Sequence, residues 1–343
     1  CEDNLPAPAI ADPGEHFKTV LYTGNGSARG ITGVGFKPDF VWIKNRDSTY
    51  QHQVYDSVRG AGQKLLPSTT NAETTDTANV SSFDSNGFSF AGGNVGVNQD
   101  TKNHVAWCWK AGGAAVSNTD GSITSQVSVN QTAGFSIVEY ASTVTNGSST
   151  IGHGLNNTPK FIMNFGRRSN GDNWKVYHSS LTANNNLILN SDSAQSTYSN
   201  YINDVNSSTF RMHAGGNANN NGIAYCWTEI EGFSKFESYI GNGNSDGPFV
   251  YCGFKPAWVM VKSSSNGGTN WRIWDSSRSP TNPNNLDLLA NTTHIENAHG
   301  SDEIDLLSNG FKIRSIGSWH NLSGGSYIFM AFAESPFQTA NAK

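Results

Sequence analysis

The sequence predicts an all-β protein built as three tandem antiparallel β-sandwich repeats of roughly 100 residues each. Three observations lead there. One decapeptide is written nearly twice, "GFKPDFVWIK" from Gly35 to Lys44 and "GFKPAWVMVK" from Gly253 to Lys262, with a weaker copy, "TPKFIMNF", from Thr158 to Phe165. Other landmarks recur after each copy in one order. The composition is rich in Asn, Ser, Thr and Gly with only 14% charged residues, which favours turns over long helices.

Taken in chain order, each unit opens with a strand entering an Asn-Gly turn: "VLYTGNGS" around Tyr22, "IVEYASTVTNGSS" around Tyr140 and "ESYIGNGNS" around Tyr239. Asn-Gly is the strongest short-range hairpin signal, so a hairpin is expected at each. The Pro-led strand follows. "FVWIK", "FIMNF" and "WVMVK" are apolar at successive positions, which predicts cover on both faces. Pro38, Pro159 and Pro256 fit at the first residue because proline donates nothing to a ladder.

"HQVYDS" (His52 to Ser57), "WKVYHS" (Trp174 to Ser179) and "WRIWDS" (Trp271 to Ser276) then give a strand marked by Val54, Val176 and Ile273. Leu66, Leu189 and Leu289 come next, then Phe88, Phe210 and Phe311 after turn sequences. The closing strands are "VAWCW", "IAYCW" and "IFMAF", and length differences fall in polar loops. Strands buried on two sides, flanked by alternating ones, suit a sandwich, and the units are too few and too long for propeller blades. The expected boundaries are 1–20 as linker from an upstream module, 21–134 as repeat 1 with a connecting segment, 135–234 as repeat 2, 235–337 as repeat 3 and 338–343 as a tail.

Net charge is −5, and no basic cluster exceeds Arg167-Arg168. Nucleic acid is therefore not an expected partner. No apolar run approaches the roughly 18 residues of a membrane span, so no membrane insertion is expected. The chain opens on Cys1, read as an internal residue of a longer polypeptide rather than a lipidated first residue. The four cysteines show no CxxC spacing, which argues against zinc. Cys108 and Cys226 read as buried thiols within apolar strands.

A residue recurring at one place in several units is required by the fold before it is required by chemistry. Asp56 with Arg59 recurs as Asp275 with Arg278, while the middle copy has His178, so the pair reads as a turn-stabilising ion pair. GxSxG, P-loop and HExxH motifs are absent. "GNGSARG" (Gly24, Gly26, Gly30) lacks the following helix of a dinucleotide site. A glycosidase needs a carboxyl pair. Among Glu139, Glu229, Glu231, Asp305 and Glu334 no non-repeated pair stands out, so no catalytic residue and no cofactor is expected. His294 and His299 read as loop residues, with Glu296, Asp302 and Glu303 leaving a cation site open. Trp174, Tyr177, Trp271 and Trp274 are the candidate glycan contacts, since aromatic faces stack on sugars while neighbouring polar groups bind hydroxyls. Core packing is the competing account for some of them.

The motifs "LPAPAIADPGEHFKTVLYTGNGS", "ITGVGFKPDFVWIKNRD", "VAWCWKAGG", "NTDGSITSQVSVNQTAGFSIV" and "YIFMAFAE" resemble an uncharacterised repeat region of structural, tail-fibre-like proteins of marine and cyanobacterial phages. The resemblance runs from Leu5 to Phe337. In proteins similar to this one the region often follows SPRY-like or laminin-G-like modules. It implies a role on the virion surface as an appendage protein, in host adhesion or as a spacer. The implied partners are other virion proteins and a host-surface glycan or protein. A homo-oligomer is expected, a trimer being typical of fibres. The rival readings are a tailspike-like polysaccharide depolymerase, which needs a non-repeated carboxylate pair, and a cellular secreted or surface-layer adhesin.

Overall fold

The first two Pro-led strands are buried at every residue and the third at every residue but Ala257, because each has a hydrogen-bonded neighbour on both edges and a packed layer on both faces. The computed structural model describes residues 8–76, 78–141, 149–197, 201–212, 221–298 and 304–336, and the chain is all-β. The first third contributes β1 (Phe17–Thr23), β2 (Arg29–Thr32), β3 (Phe40–Asn45), β4 (Gln53–Asp56), β5 (Gln63–Lys64), β6 (Thr74–Thr75), β7 (Val80–Asp84), β8 (Gly87–Phe90) and β9 (Asn103–Trp109). There follow β10 (Val116–Asn118), β11 (Ser125–Asn130), β12 (Phe135–Tyr140), β13 (Ser149–Gly152), β14 (Phe161–Gly166), β15 (Lys175–His178), β16 (Asn185–Ile188), β17 (Ser196–Thr197), β18 (Ile202–Asn203), β19 (Thr209–Met212) and β20 (Gly222–Trp227). The last third holds β21 (Ser234–Ile240), β22 (Phe249–Tyr251), β23 (Phe254–Ser263), β24 (Arg272–Asp275), β25 (Leu286–Leu289), β26 (Asn297–Ala298), β27 (Ile304–Leu307), β28 (Gly310–Ile313) and β29 (Ser326–Pro336).

Three large antiparallel sheets have the orders β1-β9-β3-β4, β10-β11-β12-β20-β14-β15-β16-β17 and β21-β29-β23-β24-β25-β26. The closing strand of each third is central, between the opening strand and the Pro-led strand. Register fixes the correspondence: Trp109 lies opposite Phe17 and Phe40, Trp227 opposite Phe135 and Phe161, Phe332 opposite Ser234 and Trp258. Three small sheets, β2-β8-β7, β13-β19-β18 and β22-β28-β27, complete the thirds, with a two-stranded β5-β6 ribbon.

Each small sheet covers the outer face of its large sheet. Val41, Ile43, Ala106 and Cys108 pack against Ile31, Val80, Phe88 and Phe90 in the first third. Ile162, Ala224 and Cys226 pack against Ile151, Phe210 and Met212 in the middle third. In the last third Phe311 meets Phe329 at 5.2 Å between ring centres. The inner faces of all three large sheets meet in one core. There Phe40 meets Tyr225 at 4.4 Å, Trp109 meets Trp227 at 6.2 Å and Trp258 at 5.8 Å, and Phe161 meets Phe236 at 6.3 Å. Such aromatic pairs add about 0.5–1.5 kcal/mol each beyond the area they bury, so the thirds are cemented to one another.

The structure departs from the sequence reading at three points. β1 starts at Phe17, and Ile10 and Phe17 are core residues, so 10–20 belongs to the fold rather than to a linker. β10 and β11 pair into the sheet of β12, which moves 116–130 from the first unit to the second. The first and third Asn-Gly turns are not hairpin turns, because β1 pairs with β9 while β2 pairs with β8, and β21 pairs with β29 while β22 pairs with β28; the middle one, Asn146-Gly147, lies outside the described residues. Each of these two turns instead carries the chain from a large to a small sheet, with Gly26 at φ 65 and Gly243 at φ 69.

A distant asparagine clamps each turn. Asn98 Nδ2 donates to Ser27 O at 2.7 Å and its Oδ1 accepts from Asn25 N at 3.1 Å. Asn321 Nδ2 donates to Asn244 O at 2.7 Å and its Oδ1 accepts from Asn242 N at 2.9 Å. These asparagines end two single-turn helices, α1 (Val95–Asn98) and α2 (Ser318–Asn321). Asn217, Asn219 and Asn220, together with Cys1, His299, Asp302, Glu303 and the tail 338–343, lie outside the described residues.

Candidate functional site

Of the candidate glycan residues, Trp174 and Trp271 sit where the thirds join. Trp174, Trp271 and Trp274 are fully buried, and Tyr177 is half-buried under the small sheet of the middle third. A buried indole offers no face to a sugar, so the glycan-groove expectation for the three tryptophans does not hold. Tyr177 shares no surface with them. Instead Trp174 Nε1 donates to Leu66 O of the first third at 3.1 Å, and Trp271 Nε1 donates to Ile188 O of the middle third at 3.0 Å. His52 stands at the corresponding place in the first third. Its Nδ1 accepts from Trp42 Nε1 at 2.9 Å, and the Leu289 backbone of the last third lies against its other side. The contacts run first to middle, middle to last and last to first, which closes a ring.

The repeated acid–base pairs seal two of the three junctions. Between the first and middle thirds, Asp56 Oδ2 accepts from Tyr225 Oη at 2.7 Å and from Arg59 Nε, both charged side chains being fully buried. Arg59 reaches Glu73 at 2.8 Å, and Arg167 of the middle third reaches the same carboxylate at 3.2 Å. Between the last and first thirds the set repeats: Asp275 Oδ2 accepts from Trp107 Nε1 at 3.0 Å and from Arg278 Nε, while Glu296 bridges Arg278 at 2.8 Å and Arg46 at 2.6 Å. The two arginines hold the Glu296 carboxyl below the usual range against the opposing effect of burial.

The junction of the middle and last thirds is neutral. His178 replaces the aspartate, Leu181 the arginine, Gln195 the bridging glutamate, Ser264 the second arginine and Met330 the ring donor, as the registers and the Gln195 N to Ser264 O bond at 2.9 Å show. Met330 has no hydrogen to donate, so a carboxylate there would be buried without its partner. His178 fits: Nε2 lies 3.1 Å from Phe329 O, and Nδ1 accepts from Ser180 N at 3.0 Å. Burial pushes its pKa down to about 4, so the ring is neutral at pH 7.

The remaining carboxylates singled out in the sequence are placed as follows. Glu139 pairs with Arg167, Glu229 with Lys235 at 2.9 Å, Glu334 with Lys255 at 2.8 Å and Asp305 with Arg314 at 3.4 Å. Glu296 is held by two arginines, so it is not a free cation ligand beside His294. Among the described residues no group of three or more His, Cys, Asp or Glu side chains could hold a metal ion.

The surface feature that the sequence reading missed is Trp319. The chain has nine tryptophans; Trp42, Trp107, Trp109, Trp174, Trp227, Trp258, Trp271 and Trp274 are fully buried, while Trp319 is 39% exposed. It stands on α2, with the Arg272 guanidinium 5.4 Å from the ring centre and Arg272 itself buried. That contact sets a buried cation against the ring. Ile316 and Leu322 are exposed on the same segment, and Ile240 emerges where Gly241 and Gly325 hydrogen-bond. The available signal was negative: Trp319 falls where the other thirds have no tryptophan, so the fold does not require it. An exposed indole can stack against the apolar face of a ring ligand.

Among known proteins, a family model described as "Domain of unknown function (DUF7483)" matches residues 12–336. No curated protein matches the chain, and no solved structure does.

Proposed function

For a chain that belongs to the DUF7483 family, we propose a non-catalytic role as a surface module of a phage particle, a tail-fibre-like appendage that binds a host-surface glycan. In this reading the chain is three tandem β-sandwich units closed into a ring about one core. The virion setting rests on the motif resemblance and on the polar, sparsely charged composition. The glycan reading rests on one observation: Trp319 alone among the tryptophans stands at the surface, with the Arg272 guanidinium against its ring.

The recurrent acids and bases are bound to each other in buried pairs at the junctions, which supports a structural rather than catalytic use of them. The decisive experiment incubates the purified chain with bacterial-surface glycans and intact host cells, recording binding and reducing-end release together. Binding without release that is lost in Trp319→Ala is the expected result. Release of reducing ends would identify a depolymerase instead, and binding unchanged in Trp319→Ala would place the contact elsewhere.

A further inference from the structure

A second site lies where the opening strand meets the last third. There a cleft of about 280 Å³ is lined by Lys18 and Thr19 of β1 and by Ser276, Ser277 and Ser279, which follow β24. Phe17, Ala257 and Leu306 contribute apolar lining. The volume falls just below the roughly 300–1,000 Å³ of small-molecule sites, which suits one sugar ring rather than a chain of them. The three serine hydroxyls have no hydrogen-bond partner among the described residues, and the buried Thr19 Oγ1 also has none.

The junction of the middle and last thirds supplies an internal comparison. Its cleft is lined by Ser179, Ser180 and Glu229, which the registers place in correspondence with Ser276, Ser277 and Glu334. Lys235 corresponds to Lys18, but it is held by Glu229 at 2.9 Å and Glu237 at 2.8 Å. In the first cleft Lys255 takes Glu334 at 2.8 Å, and Lys18 is left exposed with no ion pair among the described residues. The same scaffold is thus charge-balanced at one junction and carries a spare cation at the other.

We propose that the Lys18 cleft binds one acidic pyranose residue, a terminal uronate, with the serine hydroxyls on the ring hydroxyls and the Lys18 ammonium on the carboxylate. A charge-assisted bond of that kind is roughly twice as strong as a neutral one, which selects acidic over neutral sugars. The inference rests on the glycan-binding reading above but uses a different site.

The test titrates the full chain by calorimetry with sodium glucuronate, glucose and inorganic phosphate, in the parent and in Lys18→Gln, Lys235→Gln and Trp319→Ala. Glucuronate is expected to bind at least fivefold more tightly than glucose or phosphate. Lys18→Gln should remove that preference, and Lys235→Gln and Trp319→Ala should keep it. Glucose or phosphate binding as well as glucuronate, or a Lys18→Gln variant like the parent, would overturn the site. Loss of host-cell binding in Trp319→Ala alongside no glucuronate binding would leave the adhesion reading standing and this one fallen; the reverse pattern would do the opposite.

Discussion

Tyr225 of the middle third donates its hydroxyl hydrogen to Asp56 of the first third at 2.7 Å, and Trp107 of the first third donates its indole N–H to Asp275 of the last at 3.0 Å. Position 330, where the third donor would stand, is Met, and the acid it would serve is His178. The exchange is concerted at five positions, because a buried carboxylate and a buried guanidinium are each tolerable only with the other present.

Removing one partner should therefore cost more than removing them all. Asp56→Ala leaves the Arg59 charge buried and should lower stability by about 3–5 kcal/mol. The combination Asp56→His, Arg59→Leu, Glu73→Gln, Arg167→Ser and Tyr225→Met rebuilds the neutral junction and should lose less than the single change. Urea unfolding of both variants checks this, and a combined loss near the sum of separate losses would sink the idea.

Acid should loosen the junction of the middle and last thirds, where His178 sits, and the packing of His320 on Trp274. Burial holds His178 near a pKa of about 4 and His320 near about 3, against 6.5 in the unfolded chain. Below pH 6.5 the unfolded chain takes up protons that the folded one refuses, so stability is fullest above 6.5 and falls as pH drops toward 4. The loss is about 1.4 kcal/mol per pH unit per histidine within that window. Urea midpoints at pH 7.5, 6 and 5 should decline in that order; a flat series would contradict the buried neutral state.

The buried thiols should be silent in the native protein. Cys108, Cys226 and Cys252 are free and buried, and burial pushes each thiol up, away from thiolate. Thiolate is the reactive form, so alkylation of all three should be slow at pH 8 and become fast in urea. Rapid native labelling of Cys108 would mean that the small sheet β2-β8-β7 opens readily.

What the sequence made legible was what recurs locally. "FVWIK" and "WVMVK" announce two-sided burial within five residues, and Pro38, Pro159 and Pro256 align them without help from structure. What it hid was the identity of the covering layer: nothing near Trp174 says that its indole reaches Leu66 O on another unit, so a buried anchor and a sugar platform read alike. The Asn-Gly turns misled for the same reason. Gly26 needs its positive φ in a hairpin or in a sheet-to-sheet turn, and the residue that decides, Asn98, is far along the chain. Trp319 was legible only by subtraction, as an aromatic with no counterpart in the other units.

Trp271 and Trp319 are the pair that separates anchor from platform. Trp271→Ala removes a buried indole and its bond to Ile188 O, and should cost about 3–5 kcal/mol of stability. Trp319→Ala gives up a half-exposed ring and its contact with Arg272, a loss of about 1 kcal/mol or less. Thermal unfolding measures both, and cell binding at a temperature where both variants stay folded measures the rest. If Trp319→Ala proves as damaging as Trp271→Ala, α2 is a structural cap and the exposed ring is no platform. If it folds like the parent and no longer binds cells, the ninth tryptophan is held out of the core because the surface needs it.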